Sequence, residues 1–135
     1  MNASSLSPAL ASLYVALGGG LGALARFQVG RVVNLFAGPA GGFPWATLTV
    51  NVAGSLAMGA LMGWFARQGQ ESEALRLAIG VGLLGGFTTF SAFSAELVTL
   101  LHRGHAAMAL GYGAVSLPAG MAALVLGLVA VQGAA

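Results

Sequence analysis

The segment GLLGGFTTFSAFSAE, Gly82 to Glu96, gathers four hydroxyls, a carboxylate and the pair Phe90 and Phe93 in an otherwise apolar run. An aromatic ring has a negative face and a positive edge. Two ring edges turned into a pore therefore hold an anion without a cationic side chain. Phe90 and Phe93 are three residues apart and share a helix face, with Ser91 and Ser94 beside them and Glu96 one turn further on. The ordinary use of a phenylalanine in a membrane span is packing against lipid or protein. Just ahead of them, Gly85, Gly86, Thr88 and Thr89 combine the poorest non-proline helix former with β-branched residues, which predicts a break in the helix. Unwound backbone persists at membrane depth only when buried or lining a cavity, and carbonyls freed by such a break suit a cation such as Na⁺.

Two further polar tracks accompany this segment. Thr47, Asn51 and Ser55 recur every four residues, and Tyr112 and Ser116 repeat that spacing. Residues four apart stack on one helix face, and an asparagine amide supplies two N–H donors as well as an acceptor. Each such residue costs free energy in hydrocarbon unless it faces protein or water. Hydrogen-bonded glue between helices is the alternative use.

The elements that hold these residues follow from composition. The 135 residues are 58% hydrophobic with five arginines, three glutamates and two histidines, and their mean hydropathy is +0.90. A soluble core needs a charged shell, so this chain is read as an all-α integral membrane protein. A span takes about 20 mainly apolar residues, and four stretches fit: Pro8 to Val33, Pro44 to Ala66, Ala74 to Leu101 and His105 to Val131. Ser7 and Pro8 read as N-cap and first helical residue, and NLFAGPAGGF and QGQESE read as loops. The whole of residues 1–135 is thus one four-helix domain with no room for an extramembrane one. Met1 to Leu13 lacks the basic start of a secretory signal, so the first span is expected to stay as a helix.

Zero cysteines exclude disulfides and thiolate metal sites, and a scattered net charge of +2 excludes nucleic acid as a partner. His102 and His105 flank Arg103 without further metal ligands nearby. Trp45 and Trp64 suit the interfacial belt at the two ends of the second span. Arg26, Arg31 and Arg103 fall on one side of a four-span layout and Arg67 and Arg76 on the other. So small a bias permits insertion in both orientations, and hence an antiparallel homodimer; one fixed orientation is equally compatible. Small residues at Gly18 and Gly22, at Ser55, Gly59 and Gly63, and at Gly113, Gly120 and Gly127 give three helices a close-packing face, used either within the chain or between copies.

GGFTTFSAFSAE at Gly85 to Glu96, TLTVNVAGS at Thr47 to Ser55 and GGGLGALARF at Gly18 to Phe27 resemble the signature segments of the Fluc family of small fluoride channels, over nearly the whole chain. The resemblance implies a channel rather than an enzyme, multi-pass in the cell's inner (plasma) membrane. It implies a broken third helix and an antiparallel, dual-topology homodimer with two fluoride pores and a central structural Na⁺. It also implies roles. Asn51 would donate to fluoride, Phe90 and Phe93 would present ring edges, Ser91 and Ser94 would add hydroxyls, and Tyr112 and Ser116 would continue the pathway. Glu96 and Arg26 would sit at the pore mouth, although a charge near a helix end also commonly snorkels to the interface. Carbonyls of Gly85 and Thr88 from both subunits would hold the Na⁺. Ala92 and Gly120 depart from the commoner family pattern, which has hydroxyls at those places.

Fluoride is small and strongly hydrated, so a pore must replace its water with closely spaced donors; neutral donors at several weak sites allow both entry and exit. Two rivals stand beside this reading. A proton-coupled four-helix multidrug exporter needs a titratable carboxylate in the membrane, usually in the first span; here the first span has none, and Glu96 is the sole candidate. In a non-transporting membrane assembly subunit the polar tracks would be adhesive only.

Overall fold

The computed structural model describes residues 6–38, 42–69 and 72–133; positions 39–41 of the first loop and 70–71 of the second lie outside the described residues. The described residues form four helices long and apolar enough to cross a membrane: α1 (Pro8–Ala37), α2 (Trp45–Gln68), α3 (Glu73–His102) and α4 (Ala106–Gln132).

Local chemistry sets the helix ends. Ser7 Oγ accepts the Leu10 N–H at 3.3 Å and Pro8 occupies the first turn of α1. The helix continues past Val33, where the sequence suggested a loop, because Asn34 to Ala37 contain no breaker. It stops at Gly38, whose φ of 91° disfavours any other residue. The link from α3 to α4 is a Schellman turn. Gly104, at φ 79°, donates to the Leu101 carbonyl at 3.0 Å, and His105 donates to the Leu100 carbonyl at 2.9 Å. This closes the two helices into a tight antiparallel hairpin. At the opposite end, Arg67 donates to the Val131 carbonyl in the last turn of α4 at 3.0 Å, a cation on a helix C-terminus.

Glycines let two helix pairs close up. Gly59 and Gly63 on α2 lie against the backbone of Leu124 and Leu128 on α4, and Gly127 lies against Leu56 and Ala60 in return. Gly18 and Gly22 on α1 meet the backbone of α3 between Ala78 and Phe87, and Gly86 meets Gly19. These stripes are intrachain contacts. Gly113 and Gly120 are looser, with nearest neighbours 3.9 and 3.5 Å from a Cβ built there.

The third span is not one regular helix. A turn at Glu73–Leu75 leads into a π-helical run, Arg76–Leu84, and a further turn at Gly85–Phe87. In keeping with the wider winding, the Gly85 N–H reaches the carbonyl of Gly80, five residues back. Thr88 (φ −77°, ψ 158°) and Thr89 (φ −151°, ψ 118°) are extended, and an α-helix resumes over Phe90–His102. The sequence suggested disruption from Gly85 onward. Gly85 and Gly86 are helical instead, Gly86 because its bare backbone packs on α1, and the extended residues are the two β-branched threonines.

The core is small. Leu100, Ala109 and Tyr112 form its buried centre, with Phe43, Leu48, Phe93 and Leu97 packed around them. Leu35, Phe36, Leu110 and Leu117 stand exposed, as suits surface facing a bilayer.

Candidate functional site

Where Thr88 and Thr89 are extended, the Thr89 N–H has no helical carbonyl to meet, and the α2 track supplies an acceptor. Asn51 Oδ1 accepts the Thr89 N–H at 2.8 Å, and Asn51 Nδ2 donates to the Thr89 carbonyl at 3.0 Å. The side-chain amide thus pairs with the Thr89 peptide groups as a second strand would. Leaving the N–H unpaired would cost about 1–3 kcal/mol. The second Nδ2 hydrogen of Asn51 meets no acceptor among the described residues. Thr89 also caps the resumed helix, its Oγ1 accepting the Ala92 N–H at 3.2 Å and lying 3.3 Å from Ser91 Oγ.

One turn earlier on α2, a second cluster is fully paired. Thr47 Oγ1 donates to Glu96 Oε1 at 2.6 Å, and the Tyr112 hydroxyl donates to Glu96 Oε2 at 2.7 Å. The carboxylate therefore ties α2, α3 and α4 together, each of its oxygens receiving a short charge-assisted bond. Tyr112 has no exposed surface. Its ring is clamped between Phe43 (centroids 5.4 Å apart, 77° between planes) and Phe93 (4.9 Å, 60°), both edge-on contacts. This clamp orients Phe93, and Phe90 follows at 5.8 Å from it.

One turn later the pattern opens. Among the described residues, Ser116 on α4 has a buried Oγ with no hydrogen-bond partner. It lines a groove of about 400 Å³ between α2, the resumed part of α3 and α4, together with Asn51, Thr88, Thr89, Phe90 and Phe93. Leu117, Met121 and Leu124 give the groove an apolar wall. A second cavity of about 270 Å³ is lined by Asn34, Phe43, Glu96, Thr99 and Arg103. Phe93 and Glu96, three residues apart on one helix, border the two spaces from one face.

The residues singled out in the sequence distribute as follows. Asn51, Phe90, Phe93 and Ser116 come together in the groove, with Thr88 at its edge. Tyr112 and Glu96 are joined to each other. Ser94 turns its hydroxyl to the Phe90 carbonyl at 3.0 Å, and Ser91 turns to Thr89. Arg26 sits half-buried on α1 and borders neither cavity. The Thr89 N–H, which would close a regular turn on the Gly85 carbonyl, goes to Asn51 instead. The Ala92 N–H, four residues past Thr88, goes to Thr89 Oγ1. Two residues with central positions, Thr47 and Thr89, were absent from the sequence-based site. The four-residue spacing of Thr47 from Asn51 was the available signal for the first.

Comparison with known proteins places this arrangement. Residues 13–128 match the family described as CrcB-like protein, Camphor Resistance (CrcB). The chain belongs to the CrcB-like family. A protein named Fluoride-specific ion channel FluC from Novosphingobium aromaticivorans is 53% identical over 125 residues, which cover 93% of this chain and 98% of that one. Proteins of the same name from Erythrobacter litoralis and Hyphomonas neptunium are 48% identical over 128 residues (93% and 94% covered) and 50% identical over 117 residues (86% and 91%). The matched CrcB-like region contains the groove, the Glu96 cluster and the interrupted third span in full. With four spanning helices this CrcB-like chain is a multi-pass membrane protein. Its groove is walled by apolar side chains and carries neutral donors without a cationic one, a combination suited to a small dehydrated anion held weakly.

Proposed function

We propose that this chain is a fluoride-selective channel of the inner (plasma) membrane, through which cytoplasmic fluoride leaves passively down its gradient. The observation that carries the proposal is Ser116: a buried hydroxyl with no partner among the described residues, on a residue that lines a groove together with Asn51 and Phe93. An unpaired buried hydroxyl is costly in an apolar setting, and an anion passing through the groove relieves that cost. Asn51 and Ser116 donate, Phe90 and Phe93 offer ring edges, and Ser91, Ser94 and Tyr112 flank the path. Glu96, with Arg26, belongs to its mouth. Donors fixed at short spacing replace the water of a small anion, while a larger halide in so narrow a path loses water without equal compensation. The names of the relatives support the same ion.

The working unit is an antiparallel, dual-topology homodimer with two pores. Two features favour it: the groove is open along its flank, with Phe90 79% exposed at the rim, and the arginines divide almost evenly between the two sides. A second copy would close the groove that one chain leaves open to lipid. A structural Na⁺ fits at the centre of the dimer, held by the carbonyls of Gly85 and Thr88 from both subunits. Both carbonyls lie where Asn51 and Thr89 Oγ1 have diverted the N–H groups that would cover them in a regular helix. Bound there, the ion would link the subunits through main-chain oxygens.

The proposal is tested by efflux from loaded proteoliposomes, read with a fluoride electrode. Fluoride leaves quickly and chloride negligibly. Equal rates for the two would refute selectivity, and no flux of either would favour an adhesive subunit. A C-terminal tag found on one side of the membrane only would end the dual-topology arrangement.

A further inference from the structure

Hydroxyls inside membrane helices ordinarily satisfy themselves by bonding to the carbonyl four residues back. Ser12, Thr88, Ser94 and Thr99 do so here, at 2.8 to 3.0 Å. Among the described residues, three helical serine and threonine hydroxyls make no hydrogen bond: Thr49, Ser55 and Ser116. Thr49 is exposed, one turn from the start of α2. The other two stand on facing helices and line the same groove. Ser55 is half-buried one turn beyond Asn51, and the position opposite it on α4 is Gly120, one turn beyond Ser116. A Cβ built on Gly120 would lie 3.5 Å from Ser55 Oγ, in ordinary van der Waals contact. Any larger or hydrogen-bonding side chain at 120 would cover or engage that hydroxyl. With glycine there, the hydroxyl is left uncovered toward the groove.

We infer that Ser55 is an additional anion contact in this chain, a donor on α2 that follows Asn51 and Ser116 along the path and serves where α4 offers only glycine. The inference rests on the groove being an anion pathway. Its donor sequence then alternates between helices: Asn51 on α2, Ser116 on α4, Ser55 on α2. An ion leaving one donor meets the next before it must regain water.

The test compares purified wild-type protein with Ser55→Ala, Ser55→Thr and Thr49→Val in proteoliposomes, with fluoride flux measured across a series of fluoride concentrations. Loss of a hydrogen bond to an ion lowers flux for Ser55→Ala by about tenfold and moves the concentration at which flux saturates. A mere packing defect would reduce the number of active channels without moving that concentration. Ser55→Thr keeps the hydroxyl and stays within about twofold of wild type, as does Thr49→Val on the outer side of the same helix. Unchanged flux and saturation in Ser55→Ala, with the wild type conducting, overturns the inference and leaves the channel standing. Equal losses in Ser55→Ala and Ser55→Thr overturn it in favour of packing. A wild-type protein that passes no fluoride removes the pathway itself, and this inference with it.

Discussion

The seam between α2 and α4 has two ends built from the same kinds of residue at the same four-residue spacing, and they behave in opposite ways. At the Thr47 and Tyr112 end every polar atom has found protein: two hydroxyls close on one carboxylate, and the aromatic ring between them is wholly buried. At the Ser116 end the hydroxyl is buried and unpaired beside an open groove. Asn51 lies between and shares both characters, with two of its bonds made and one donor left over. The difference lies in what α3 presents to each rung: a glutamate to Thr47 and Tyr112, the extended Thr89 backbone to Asn51, and no hydrogen-bond partner to Ser116. Spacing alone makes a polar track; the facing element decides whether it is a clasp or a conduit.

That contrast is most exposed to attack at its midpoint. Asn51→Ala leaves the Thr89 N–H without a partner at about 1–3 kcal/mol and takes one bond from the Thr89 carbonyl, so the variant should unfold at lower temperature in detergent and lose nearly all fluoride flux. Retained stability would mean that the gap in α3 does not depend on the amide. Next in size, Phe93→Ile removes the ring edge and the Tyr112 contact together, and flux should fall by about tenfold with the oligomer intact. Phe90→Ile should also suppress flux; no change in either variant would remove the ring-edge role. At the closed end, Glu96→Gln keeps one acceptor and loses the charge, which should lower stability by about 1 kcal/mol with fluoride flux retained. Abolished transport that is also proton-dependent would instead favour the exporter. The smallest effect belongs to Arg67→Ala, which frees the Val131 carbonyl at an end already open to water, and unfolding should shift by less than about 1 kcal/mol.

The four helices were readable because each is long, apolar and bounded by residues with clear backbone preferences, such as Ser7 with Pro8 and Gly104. The end of α1 was misjudged by four residues, since Asn34 and Phe36 suit a helix as well as a loop and the true stop is Gly38. The sequence put a break among Gly85, Gly86, Thr88 and Thr89, and the extended residues are the two threonines. Which of those residues stays helical depends on α1, against which Gly86 packs. The pairing of Asn51 with the Thr89 peptide groups was beyond reach for a related reason: the partners are 38 positions apart, and an asparagine in a span looks the same whether it faces an ion or a backbone. The π-helical winding of Arg76–Leu84 left no mark in the sequence that its residue types would reveal.

The direction of the chain gives the Asn51 clip one more consequence. A ribosome delivers α2 before α3, so the amide that receives Thr89 is already in the bilayer when the N–H that depends on it emerges. Tyr112, which completes the clasp on Glu96, arrives last. Assembly can thus proceed from the amino end without leaving the gap unattended in lipid, whereas a permuted chain that made α3 first would have to wait for its mate.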